Sequence, residues 1–198
     1  LQEMFPQAHI VGCSTSGSVM GVTISDGDMV ATAVKLERSN IKVALIDLNP
    51  NMGATELGIS LMAKLADSNL RHVIVFSDGQ QVNGSDLAKG LNQAGIPVTG
   101  GLAGDGVRFE KTWVMAGSPA RTGRIAALGF YGGVTIRSGC FAGWEEFGAE
   151  RIITKSEGNV VYEIDGEPAL DLYKKYLGEQ ANELPASGLR FPMSIQMT

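Results

Sequence analysis

Lys42-Val43-Ala44-Leu45-Ile46-Asp47-Leu48-Asn49-Pro50 is the stretch on which the fold turns. Residues 42–48 are apolar and β-compatible, and they read as a buried strand. Pro50 stops it, because proline supplies no N–H and disfavours helical geometry in the residue before it. Beyond the break, Ala54, Leu57, Gly58, Leu61, Met62 and Leu65 recur on one face at helical spacing. Small groups alternate with large ones there, which predicts a helix packed closely on a sheet. Residues 71–77 form the next apolar run, closed by Asp78-Gly79. Ser85 then offers a cap for a helix carrying Leu87, Ala88, Leu91 and Ala94, and Gly95 ends it. With 97–101 extended, residues 42–101 spell strand, helix, strand, helix, strand, the order of a βαβαβ unit with parallel pairing.

Working outward, His9-Ile10-Val11-Gly12-Cys13 reads as a short buried strand and 29–36 as a second. After residue 107 the pattern changes. Extended runs near 108–115, 124–131, 134–139, 149–155 and 159–164 follow one another across short glycine-containing turns, as in an antiparallel meander. Asp165-Gly166-Glu167-Pro168 then carries a capping Asp and an early proline, which predicts a helix over 167–177 with Leu170, Tyr173 and Leu177 at helical spacing and Gly178 as its stop. Tyr173, Tyr176 and Leu177 are expected on its packing face. A final extended segment covers 191–197. The fold class is therefore α/β to α+β: a layered mixed arrangement, in one sheet or two, with a βαβαβ unit, a meander and packed helices.

Composition narrows the function classes. The chain has 198 residues, 44% of them apolar, with 16 basic and 21 acidic side chains and a net charge of -5. Such a balance fits a globular domain, not a disordered one. No basic block is set aside for phosphates, so nucleic acid is not an expected partner. Apolar runs are strand-sized, short of the roughly 18 residues that a membrane helix needs, so no membrane is expected. Cys13 and Cys140 show no paired spacing, which suits a reducing compartment and predicts a cytoplasmic location. No basic start leads into an apolar block, so no secretory leader is expected, and the opening at Leu1 points to a lost beginning. Glycine stands out: 26 residues, nearly twice the usual ~7%. The glycines cluster at 12–21, 100–106, 129–133 and 139–148, between apolar runs, and mark sharp turns.

Those turns hold the candidate chemistry. Cys13, at a strand end before Ser14, Thr15 and Ser16, reads either as a thiol activated by turn amides or as a small residue closing a tight turn. The run does not match Gly-x-Ser-x-Gly, and His9 and His72 are the chain's two imidazoles, so catalysis is not the expected role. Amides and hydroxyls of residues 14–17 suit a carboxylate. Gly100, Gly101 and Gly104 bring bare backbone to a ligand, while Asp105 or Asp78 accepts from an ammonium group; the competing reading is turn geometry with Asp as a local acceptor. The run matches neither a dinucleotide fingerprint nor a Walker loop. Trp144 either walls a bound molecule or caps the core of the meander. No metal-ligand spacing is present, so neither metal nor cofactor is expected.

Five ordered motifs carry a resemblance: 9–17 (HIVGCSTSG), Phe76-Ser77-Asp78-Gly79, Gly100-Gly101-Leu102-Ala103-Gly104-Asp105, Gly143-Trp144-Glu145-Glu146-Phe147-Gly148, and Pro168-Ala169-Leu170-Asp171-Leu172-Tyr173 with Tyr176-Leu177-Gly178. Together they resemble the FIST domain family over nearly the whole chain. The resemblance implies a bacterial sensory module that accompanies histidine kinases, chemotaxis receptors or cyclic-nucleotide enzymes, with F-box proteins as eukaryotic companions. It implies small-ligand binding, with amino acids the usual suggestion, and haem-dependent nitric oxide sensing in some members. It also implies a FIST N-terminal part over 1–165, truncated at its start, and the opening of a truncated C-terminal part over 166–198. The expected function is a non-enzymatic sensory domain that binds an amino acid or similar polar metabolite and relays occupancy to an output partner. Its alternatives are a haem sensor using His9 or His72, a Cys13-dependent enzyme, and a ligand-free scaffold.

Overall fold

Among the described residues of 1–138, the strands are β1 (Val11–Cys13), β2 (Ser18–Met20), β3 (Thr23–Ser25), β4 (Ser39–Asp47), β5 (Leu70–Ser77), β6 (Val98–Leu102), β7 (Val114–Ala116) and β8 (Arg124–Gly132). The helices there are α1 (Ala54–Leu65) and α2 (Gly84–Asn92). The computed structural model describes residues 2–117, 119–141 and 143–195. It divides into two compact units, 1–138 and 139–198.

The mixed α/β architecture follows the sequence pattern, and α1 buries the expected face of Leu57, Gly58, Leu61, Met62 and Leu65. Glu56 caps α1 by accepting the Gly53 N–H at 3.0 Å. Asn83, not Ser85, caps α2: its side chain accepts the Asp86 N–H at 3.1 Å. The small residues on α1 face α2 as well as the sheet. A Cβ on Gly58 would stand 2.7 Å from the Leu87 carbonyl oxygen, and one on Gly90 would collide with that of Thr55.

The main sheet has the order β4-β8-β5-β6. Strands β5 and β6 are parallel, as expected, whereas β8 is inserted between β4 and β5 and runs antiparallel to both. The run at 124–132 is therefore the sheet's interior, not a rung of a meander. Its composition explains this: Ile125, Ala126 and Ala127 are all fully buried, and a strand covered on both faces needs small or apolar groups on both. On one face, Ala44, Val73, Val75, Ile125, Ala127 and Tyr131 pack with Leu57, Leu61, Leu65, Leu87 and Leu91 of the helices. The other face is covered by the β1–β7 ribbon. Ala103, Val114, Ala116 and Ala126 form its core, with Val11, Val43, Leu45 and Phe76 partly buried around them.

Two expected strands do not form. Residues 29–36 and 134–139 flank the same end of the β4–β8 ladder, which stops at Ser39 opposite Gly132. Gly132 has φ +90°, turning β8 off the ladder, so neither segment finds a neighbour for its backbone groups. The expected run at 108–115 shortens to β7, because residues 109–111 wrap around a carboxylate.

In 139–198, β9 (Ile153–Glu157), β10 (Val160–Ile164) and β11 (Glu167–Pro168) form an antiparallel meander, followed by α3 (Ala169–Leu177) and α4 (Ala186–Arg190). Pro168 stands at the N-cap of α3 without a side-chain cap. Asp165, expected as that cap, instead accepts the Ile152 N–H at 2.9 Å and pairs with Arg151 at 3.0 Å. The face of α3 that packs is Ala169, Leu172 and Leu177, while Leu170 and Tyr176 are exposed, so the expected packing role holds for Leu177 and not for Tyr176. Residues 191–195 carry no strand. The last two residues of the expected extended segment, 196–197, lie outside the described residues.

Candidate functional site

The parallel strands β5 and β6 end at Ser77 and Leu102, and the turns that follow them meet the turn that follows β1. Ligands of open α/β sheets sit outside the carboxyl ends of such strands, where loops are free of ladder bonds. Backbone and side-chain bonds tie the three turns together. The Ala103 N–H donates to the Ser77 carbonyl at 2.8 Å, and the Gly104 N–H to that of Ser14 at 3.1 Å. Ser16 Oγ accepts the Gly106 N–H at 3.3 Å. A Cβ on Gly104 would collide with Ser16 Oγ, so glycine at this position is what lets the two turns touch.

Ser14 extends the β1–β7 ribbon by one rung. Its N–H donates to the Trp113 carbonyl at 2.8 Å, and its Oγ accepts the Trp113 N–H at 2.9 Å. Thr15 Oγ1 donates to the Gly17 carbonyl at 2.9 Å, closing a local turn. Cys13, Thr15 and Ser16 are exposed and Ser14 is half-buried. Although the residue as a whole is exposed, partial desolvation of its thiol pushes Cys13 up, away from the thiolate.

The two acidic candidates are buried and already engaged. Asp78 Oδ1 accepts the N–H groups of Gln80 (2.8 Å) and Gln81 (2.9 Å), and Oδ2 accepts from Gly123 (2.8 Å) and Gln81 Nε2 (3.4 Å). A carboxylate has about four lone-pair sites, so Asp78 is saturated. Asp105 accepts from Phe109 (3.2 Å) at one oxygen and from Glu110 (2.7 Å) and Lys111 (2.9 Å) at the other. One acceptor site remains. Desolvation pushes the Asp105 carboxyl up, but these three N–H donors and the Arg108 charge more than reverse it, holding it below the usual carboxylate range.

Gly100 and Gly101 lie within β6, opposite Val75 and Phe76, not in the turn itself. Trp144 belongs to the other unit, where it is exposed. Sequence reasoning passed over two residues at this site. Thr112 is buried, with Oγ1 accepting the Gly79 N–H at 2.9 Å, and nothing in the polar run around it signals that role. Trp113, bonded through its backbone to Ser14, leaves its side chain 44% exposed. An aromatic residue beside the Ser14–Ser16 partner strand was the available signal.

His72 is buried, with Nε2 2.9 Å from Thr99 Oγ1, and burial lowers its pKa. His9 is exposed just before β1. Among the described residues, no group of three His, Cys, Asp or Glu side chains could hold a metal ion, and no helix is long and apolar enough to cross a membrane.

A family model described as the FIST N domain matches residues 1–167. An uncharacterised protein of Methanocaldococcus jannaschii is 25% identical over 191 residues, covering 90% of this chain and 37% of that protein. The chain thus spans little more than a third of this curated relative. No solved structure matches it.

Proposed function

The chain belongs to the FIST N domain family, a sensory signal-transduction family, and from that premise we propose that it binds a small polar metabolite at the turns following β1, β5 and β6. The observation that carries this reading is the convergence of those turns. The Ser14–Gly104 and Ser16–Gly106 bonds join them, and the exposed hydroxyls of Thr15 and Ser16 are left at their rim.

The roles divide by burial. Asp78 holds the turn after β5 and Asp105 holds the loop after β6, each through several backbone amides. Thr15 and Ser16 supply hydroxyls, Gly104 supplies close backbone, and Trp113 supplies an aromatic surface beside Ser14. The remaining acceptor site of Asp105 suits an ammonium group, and turn amides with hydroxyls suit a carboxylate, so an amino acid is the ligand class proposed. Relay to an output partner, such as a histidine kinase, chemotaxis receptor or cyclic-nucleotide enzyme, requires that the ligand bind one conformation better than another. No covalent chemistry is involved, in keeping with a Cys13 thiol pushed away from its reactive form.

Tryptophan fluorescence tests the site directly, since Trp113 and Trp144 are the chain's two tryptophans. With Trp144→Phe, an amino-acid panel is expected to give a saturable change reported by Trp113, and Ser16→Ala is expected to weaken it. A response that survives Trp113→Phe and disappears with Trp144→Phe would remove the site from these turns.

A further inference from the structure

We propose that the protein has a second ligand site, for a small apolar carboxylate, in a cavity between the β1–β7 ribbon and the main sheet. The cavity is open to solvent, has a volume of about 310 Å³ and, among the described residues, is lined by His9, Val43, Leu45, Ala116 and Gly117. It lies at the opposite end of β1 from Ser14: His9 precedes that strand, and the Gly117 N–H donates to the Ile10 carbonyl at 3.0 Å.

Residue sizes explain why the space exists. The helix side of the sheet is filled by leucines, whereas three of the four buried residues on the ribbon side are Ala103, Ala116 and Ala126. Ala116 shares the cavity's lining with Val43 and Leu45, and both of those remain only partly buried. Aliphatic surface left against water is surface that an apolar ligand gains by covering.

The lining sets the ligand class. Among the described residues, three aliphatic side chains and one glycine make the walls, and the exposed His9 imidazole is the polar side chain. No carboxylate borders the cavity among the described residues, so an ammonium group finds no counter-charge there and a free amino acid is disfavoured. At about 30 Å³ per water molecule, the volume holds roughly ten waters, space enough for a ligand the size of benzoate. An aromatic or branched aliphatic monocarboxylate fits, its body on Val43, Leu45 and Ala116 and its carboxylate on His9. The size is at the lower end of small-molecule pockets.

Benzoate is the probe, and methyl NMR of the full chain is the readout. Saturable shifts are expected at the Val43, Leu45 and Ala116 methyls, and Ala116→Leu is expected to weaken them about tenfold or more by filling the space. Because a larger core residue can disturb folding, His9→Leu provides an independent arm at an exposed position. It is expected to weaken benzoate while sparing benzyl alcohol, which lacks the charge. Ser16→Ala is expected to leave benzoate binding unchanged, which separates this site from the proposed amino-acid site. Absent shifts at these methyls, shifts that persist in a folded Ala116→Leu protein, or equal loss of benzoate and benzyl alcohol in His9→Leu would overturn the proposal.

Discussion

Asp105 accepts hydrogen bonds from three amides of the loop that follows it, the local-acceptor role that its place in a glycine turn allows. Its position in Gly104-Asp105-Gly106 marks a turn, but the sequence does not reveal that three amides of the next loop converge on it. Its folded-state pKa is depressed, so the unfolded chain binds the proton more tightly. Asp105 therefore contributes stability above the unfolded carboxylate value, and that contribution is lost as pH falls through the folded value. Asp105→Asn is expected to flatten the acid side of the stability–pH curve, measured by urea unfolding between neutral and acidic pH. Asp78→Ala is a harsher change. It removes the buried acceptor shared by the N–H groups of Gln80, Gln81 and Gly123, and a loss of about 1–3 kcal/mol is expected in the same assay. Cys13 is expected to alkylate more slowly than a free cysteine, because partial desolvation raises its thiol pKa. Rapid alkylation would revive the nucleophile reading.

At the scale of elements, local pattern and long-range pairing part company. Helix α1 was legible from its packed face, since helical spacing and the Pro50 break are local signals. The insertion of β8 between β4 and β5 was not, because its partners lie tens of residues away and its alanines and glycines carry a weak period. Residues 29–36 show the reverse error: β-branched residues were present, but the ladder they would extend ends at Gly132. Packing also overrules propensity. Gly90→Ala would raise helix propensity by roughly 1 kcal/mol, but its Cβ would strike the Thr55 backbone. A net destabilisation of about 1–3 kcal/mol is expected from thermal or urea melts. A stabilised Gly90→Ala protein would show that α1 and α2 can separate without loss.

Taken whole, the chain carries one densely packed core under its helices, a sparser one under the β1–β7 ribbon, and a small separate core around Ile164 in the second unit. Membership of the FIST N domain family gives the sensory class. The candidate site was legible as a set of turns after β1, β5 and β6, since Gly, Ser and Asp mark turns in any sequence. Their meeting was not, because the contact between Ser14 or Ser16 and the Gly104–Gly106 segment spans about ninety residues of chain. For the same reason nothing in the sequence pairs Trp113 with Ser14. The central claim is that these converged turns bind the ligand, and amide NMR of the full chain during titration with an amino-acid panel tests it most directly. Saturable shifts concentrated at Thr15, Ser16, Gly104 and Gly106 are the result expected. Saturable binding that leaves those four amides unmoved would contradict it.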